Sequence, residues 1–230
     1  MLVAAAVCPH PPLIVPELAG AAAPELDGLR AACAAAIRAV LAVDHDLLVV
    51  VGGDERTTAY GGQPAGTLAP WGVDVRVGEG EPVLPLSLTI GRWLLDAQRT
   101  GVGTTGEVAF QGVASGASAE ECLALGAALV DGRRTALLVM GDGSACLTEK
   151  SPGFLHPAAG PYNDEIARAL AEADAGALAA MDPERAAELW VGGRAALQVL
   201  AGAADGVELR PELLEDSAPY GVGYFVATWT

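Results

Sequence analysis

Three short stretches carry the side chains best suited to chemistry. Cys8-Pro9-His10-Pro11-Pro12 follows the apolar run Leu2 to Val7 and holds an imidazole between prolines. Gly52-Gly53-Asp54-Glu55 follows an apolar run that ends at Val51 and offers two carboxylates after two glycines. Gly141-Asp142-Gly143-Ser144 follows Thr135 to Met140 and adds an acid and a hydroxyl. One imidazole and several carboxylates at a common edge can hold a hard or borderline divalent metal. The same glycines and acids are also ordinary turn formers after any strand, with Asp142 and Ser144 satisfying backbone amides. Around His10 the proline rings fix φ and remove backbone donors, so that loop neither prolongs the strand nor begins a helix.

These three ends meet only if the runs before them are neighbouring strands of a parallel sheet, whose carboxyl edge then collects them. Leu2 to Val7, Asp46 to Val51 and Thr135 to Met140 read as short buried strands, and Glu107 to Val113 and Val222 to Trp229 as further ones. Pro24 to Leu41 reads as a helix with Leu26, Leu29, Cys33 and Ile37 on one face, and Leu86 to Gln98 as another. Ser118-Ala119-Glu120-Glu121 has the spacing of a capping box and starts a helix to about Val130. Pro161 to Ala173 follows as a helix, and Asp182-Pro183 opens one to about Ala201, with close packing expected at Gly192-Gly193. Arg56 to Pro85 is a polar excursion with a short strand around Val73 to Val77. Strands alternating with helices predict a three-layer α/β/α single domain with a mostly parallel central sheet, spanning residues 1–230.

Composition excludes several classes. A formal charge of −16 with thirteen scattered Lys and Arg argues against a nucleic-acid partner, which requires a basic patch. No apolar stretch reaches membrane-spanning length, so no membrane partner is expected. Cys8, Cys33, Cys122 and Cys146 show no CxxC spacing and read as reduced, buried thiols of a cytoplasmic protein. Gly101-Val102-Gly103-Thr104-Thr105-Gly106 matches a dinucleotide fingerprint only literally, since it precedes a strand instead of linking strand to helix. His45 precedes the second strand and belongs at the opposite edge, while His156 reads as a solvated loop residue.

The PHPP segment at His10, the GDERTTAY segment over Gly53–Tyr60, the LLVMGDGSACL segment, and the PYNDEIARAL and ELWVGGRAAL segments together carry a resemblance. Over nearly its whole length the chain resembles the superfamily of class III extradiol ring-cleavage dioxygenases. That resemblance implies a small catecholic substrate and ferrous iron held by two His and one Glu, with a further His moving protons. His10 matches the first ligand. Glu55 stands where the family has its second histidine, and the late-helix Glu corresponds to Glu184 or Glu188, with the Trp190 neighbourhood favouring Glu188. The implied metal set is therefore His10, Glu55 and Glu188, with Asp54, Asp142 and Ser144 lining the pocket. Cys146-Leu147 stands where the family has its acid/base His, a group worth about 10²–10⁴-fold in rate. A carboxylate in place of imidazole hardens the site and admits Mn, Mg or Ca beside Fe(II). The expectations are thus a divergent dioxygenase, a relative that binds a small ligand or partner in the old cleft, or metal-dependent hydrolysis or group transfer on the same scaffold. A homodimer is expected as the commonest assembly.

Overall fold

A computed structural model describes residues 1–99 and 106–230, so most of the glycine fingerprint at 101–106 lies outside the described residues. The chain begins with β1 (Leu2–Cys8), a one-turn helix α1 (Pro16–Ala19) and the long helix α2 (Asp27–Leu41). Next come β2 (Leu47–Asp54), β3 (Thr58–Tyr60), β4 (Gly66–Thr67), β5 (Arg76–Val77) and α3 (Leu86–Arg99). The middle of the chain forms β6 (Glu107–Ala114), α4 (Ala119–Leu129) and β7 (Thr135–Met140). Four helices follow, α5 (Ala159–Glu172), α6 (Ala175–Ala179), α7 (Pro183–Glu188) and α8 (Arg194–Ala203), before β8 (Pro211–Ser217) and β9 (Tyr224–Trp229).

Among the described residues the main sheet has seven strands in the order β3-β6-β2-β7-β1-β9-β8. The central four are parallel; β3 at one end and β9 beside β1 run against them, and β8 pairs antiparallel with β9 and so returns to the direction of the centre. Side chains alternate strictly through this centre. Ala5, Val7, Val49, Val51, Leu137 and Val139 pack into the core with α4, α5 and α8. Their neighbours Ala6, Cys8, Leu48, Val50, Leu138 and Met140 face α2 and α3. Burial on both faces is why these strands read as continuous apolar runs. The molecule is thus one three-layer α/β/α domain, as the alternation of elements predicts.

Aromatic residues are scarce, so small side chains set the layer spacing. On α4 and α8 the helices approach so closely that a Cβ on Gly126 would lie 2.0 Å from the Val199 carbonyl. A Cβ on Gly202 would meet the Leu123 carbonyl at 2.1 Å. The capping box forms as its spacing predicts: Ser118 accepts the Glu121 N–H at 3.2 Å, and Glu121 accepts the Ser118 N–H at 2.8 Å.

Two expectations need correction, and one strand was not expected at all. The helix expected from Asp182 to Ala201 is two helices. It breaks after Glu188, where the Val191 N–H reaches the Ala186 carbonyl at 2.8 Å and the Trp190 N–H reaches Ala187 at 3.1 Å. This pairing is a Schellman stop. The first long helix begins at Asp27, because Gly20–Leu26 forms a 3₁₀ lead-in containing Pro24. Strand β8, polar along much of its length, gave no apolar run to detect. No helix among the described residues is long and apolar enough to cross a membrane.

Candidate functional site

The parallel centre delivers the three motifs to one edge, as required. β1 and β7 are paired up to Cys8 and Met140, and the Gly141 N–H donates to the Cys8 carbonyl at 3.0 Å. The His10 turn and the Asp142 turn are therefore adjacent. Asp142 Oδ1 accepts the His10 main-chain N–H at 2.8 Å, while the main-chain carbonyl of Asp142 accepts from Gly193 N–H at 2.7 Å. The imidazole Nδ1 stands 3.7 Å from the same Asp142 oxygen, beyond hydrogen-bond length. It is buried and has no hydrogen-bond partner among the described residues. The charge of Asp142 also acts on Tyr224, whose phenol is held above its ordinary value first by burial and then by that carboxylate.

β2 delivers the second group. Asp54 Oδ1 accepts the Glu55 N–H at 2.6 Å, and Oδ2 accepts the Tyr60 hydroxyl at 2.6 Å. Burial and that bond to Asp54 push the Tyr60 phenol up to about 12. Ser87, in the first turn of α3, donates to the Gly53 carbonyl at 2.6 Å and ties the helix to the strand end. Between this edge and the 56–85 excursion opens a cavity of about 1070 Å³, lined by His10, Asp54, Glu55, Tyr60, Trp71 and Ser87 among others. Its volume is slightly above the usual range of about 300–1,000 Å³ for small-molecule sites, as suits a wide cleft. Trp71 is 41% exposed at its rim. Another cavity, of about 510 Å³, lies where Tyr162 of α5 faces α6 and contains none of the three strand-end motifs.

The expected site residues divide. His10, Asp54 and Glu55 share the large cavity. Asp142 stands behind His10 and does not line the cavity; its part is to position the histidine turn. Ser144 is fully buried, with its hydroxyl donating to the Leu189 carbonyl at 2.6 Å and accepting from the Cys146 N–H at 3.1 Å. It joins the third turn to the end of α7, and so is a structural fastener and not a pocket wall. Glu188 is absent from the cavity lining. It pairs with Arg185 at 2.5 Å and with His156 Nε2 at 3.4 Å. His156, expected to be solvated, is thereby engaged. His45 turns its Nδ1 to the Val43 carbonyl at 2.7 Å, beside the amino-terminal end of β2.

A ferrous facial triad needs three protein donors around one point. Of the implied set only His10 and Glu55 share a cavity. Among the described residues no group of three His, Cys, Asp or Glu side chains is arranged to hold a metal ion. The residues present do not fit the iron site that the resemblance implies. Sequence reasoning passed over Tyr60, Trp71 and Ser87. Tyr60 and Trp71 lie in the excursion, where no periodicity fixes which way a side chain faces, and Ser87 reads as an ordinary first-turn helix residue.

No family model matches the chain, and no curated protein matches it either. Among solved structures it is similar to an uncharacterized protein, JW3007, from Escherichia coli K12, with a TM-score of 0.54 and 14% sequence identity over 98% of each chain. At that identity the likeness shows a shared α/β fold and nothing finer.

Proposed function

We propose that this chain binds a small aromatic ligand carrying adjacent hydroxyls, as a divergent relative of the class III extradiol dioxygenases whose cleft has lost the full metal set. The observation that carries this reading is that His10 and Glu55 share one cavity with Tyr60 and Trp71, while Glu188 is held elsewhere by Arg185 and His156. Carboxylate oxygens of Glu55 and the remaining lone pairs of Asp54 accept from ligand hydroxyls, each oxygen having capacity beyond one bond. The Trp71 ring supplies an aromatic wall against which a flat ligand packs. Cys146-Leu147 in place of the acid/base histidine supports binding over turnover. A cytoplasmic setting belongs to the same reading and is supported by four free, buried cysteines.

The test is calorimetric titration of catechol, first with a chelator present and then with added Fe(II) or Mn(II). Equal, saturable binding under both conditions is the expected result, with loss of affinity in Glu55→Ala. Catechol-dependent oxygen uptake on adding Fe(II) would instead establish the dioxygenase, and no binding under any condition would remove the reading.

A further inference from the structure

Helix α5 places Tyr162, Glu165, Ile166 and Ala169 on one face, at the spacing of successive turns. All four line the cavity of about 510 Å³ that α5 forms with α6 and the start of α7, apart from the strand-end motifs. Ile166 and Ala169, with Leu178 of α6 and Met181 beyond it, are buried and give this hollow an apolar floor. Its volume falls within the range of small-molecule sites.

The lining also carries charges of both signs that lack partners. Glu165 and Arg168 are three residues apart on α5, a spacing that ordinarily lets opposite charges pair. They do not. Among the described residues neither side chain takes part in an ion pair. Asp182 uses Oδ1 to cap α7, accepting the Arg185 N–H at 2.7 Å, and its other oxygen has no partner among the described residues. Arg185 lines the hollow as well, but its charge is met by Glu188.

A second observation points into the same hollow. The Tyr162 hydroxyl is buried and has no hydrogen-bond partner among the described residues. A buried phenol usually finds one. This phenol is held above its ordinary value first by burial and then by Asp182 and Glu165, against the opposing pull of Arg194 and Arg185. Its oxygen end therefore lies among the charges that line the hollow. Oxygens of three residues and one unpaired guanidinium border a single apolar floor.

We propose that this hollow binds a free α-amino acid with an aliphatic side chain. The ammonium, which has three donors, is taken by the carboxylates of Glu165 and Asp182 and by the oxygen of Tyr162. The carboxylate pairs with the guanidinium of Arg168, whose fork matches it. The side chain lies on Ile166, Leu178 and Met181 and leaves water there. This site is separate from the strand-end cleft and does not rest on the function proposed for it.

Calorimetric titration of the intact chain with L-leucine, glycine, isopentylamine and isocaproate tests the site. Leucine is expected to bind saturably. The amine and the acid, each lacking one charged group, should bind about tenfold more weakly, the scale of one charge-assisted hydrogen bond. Glycine, with no side chain for the floor, should also lose about tenfold. Arg168→Met should weaken leucine and isocaproate and leave isopentylamine unchanged. Glu165→Gln should weaken leucine and isopentylamine and leave isocaproate unchanged. Both residues are exposed, so melting temperatures should hold. Tyr162→Phe removes the unpartnered hydroxyl, so stability should hold or rise while leucine affinity falls severalfold. Leucine failing to bind, or binding no better than the amine and the acid, would overturn the site. So would a loss shared equally by every probe in either charge variant.

Discussion

One carboxylate oxygen, Oδ1 of Asp142, accepts the main-chain N–H of His10 at 2.8 Å and lies 3.7 Å from the same residue's Nδ1. The third parallel turn therefore fixes the first, and the position of the imidazole depends on an acid that does not itself line the cavity. Replacing it with alanine leaves a partly buried amide without an acceptor. Asp142→Ala is expected to lower stability by about 1–3 kcal/mol, whereas Asp142→Asn keeps an acceptor and loses less. Urea denaturation of the two variants measures the difference.

Ser144 provides a contrast. Its hydroxyl satisfies the Leu189 carbonyl and the Cys146 N–H in a fully buried position. Ser144→Ala should lower the unfolding free energy by about 1–3 kcal/mol. Catechol affinity should stay at the wild-type value. A large loss of affinity in a folded variant would return Ser144 to the binding site.

The approach of α4 to α8 depends on the absence of two methyl groups. With backbone atoms only 2.0 and 2.1 Å from the positions a Cβ would take, neither Gly126→Ala nor Gly202→Ala can be accommodated without moving a helix. Each should destabilise the protein by about 3 kcal/mol, the upper end of what overpacking usually costs, because the atoms in the way are backbone. This happens despite alanine being the better helix former. Melting temperature reports it directly.

Tyr60 offers a spectroscopic readout of the cleft. Its phenol titrates at about 12, raised by burial and by the bond to Asp54. A raised value means that the native state holds its proton more tightly than the unfolded chain. The associated stability is complete below the ordinary tyrosine value near 10 and is lost as pH climbs through about 12. Asp54→Asn weakens the acceptor and removes its charge, so phenolate absorbance from Tyr60 should appear at lower pH than in the wild type. An unchanged titration would show burial alone to be responsible.

The parallel centre was legible because strands buried on both faces must be apolar throughout, so Thr135–Met140 could be bounded to the residue. Its neighbours at the sheet's ends were not. β8 mixes Leu213 and Leu214 with Glu212, Glu215 and Asp216, and β3 is three residues inside a polar excursion. The site divides in the same way. That His10 and Glu55 open on one cavity follows from strand order and could be anticipated from the motifs that end β1 and β2. The direction taken by Glu188 could not, since it depends on a helix stop with tryptophan at a position where glycine is the usual signal. The two glycines after it read as closely packed residues inside a helix; the packing is there, Gly193 passing against Gly141 and Asp142, but both lie in the break between α7 and α8.

The outermost strand has a bearing on self-association. β8 ends the sheet with Pro211, which lacks an amide hydrogen, and with Glu212, Glu215 and Asp216. A second copy zipping alongside would bring rows of like charge together, a recognised guard against edge-to-edge aggregation. Asp216 is held above the ordinary aspartate value by burial and by Asp164 and Glu215, so mild acid neutralises it sooner than a free aspartate. Acidification therefore weakens the guard at this rim before it reaches the carboxylates that titrate in their ordinary range.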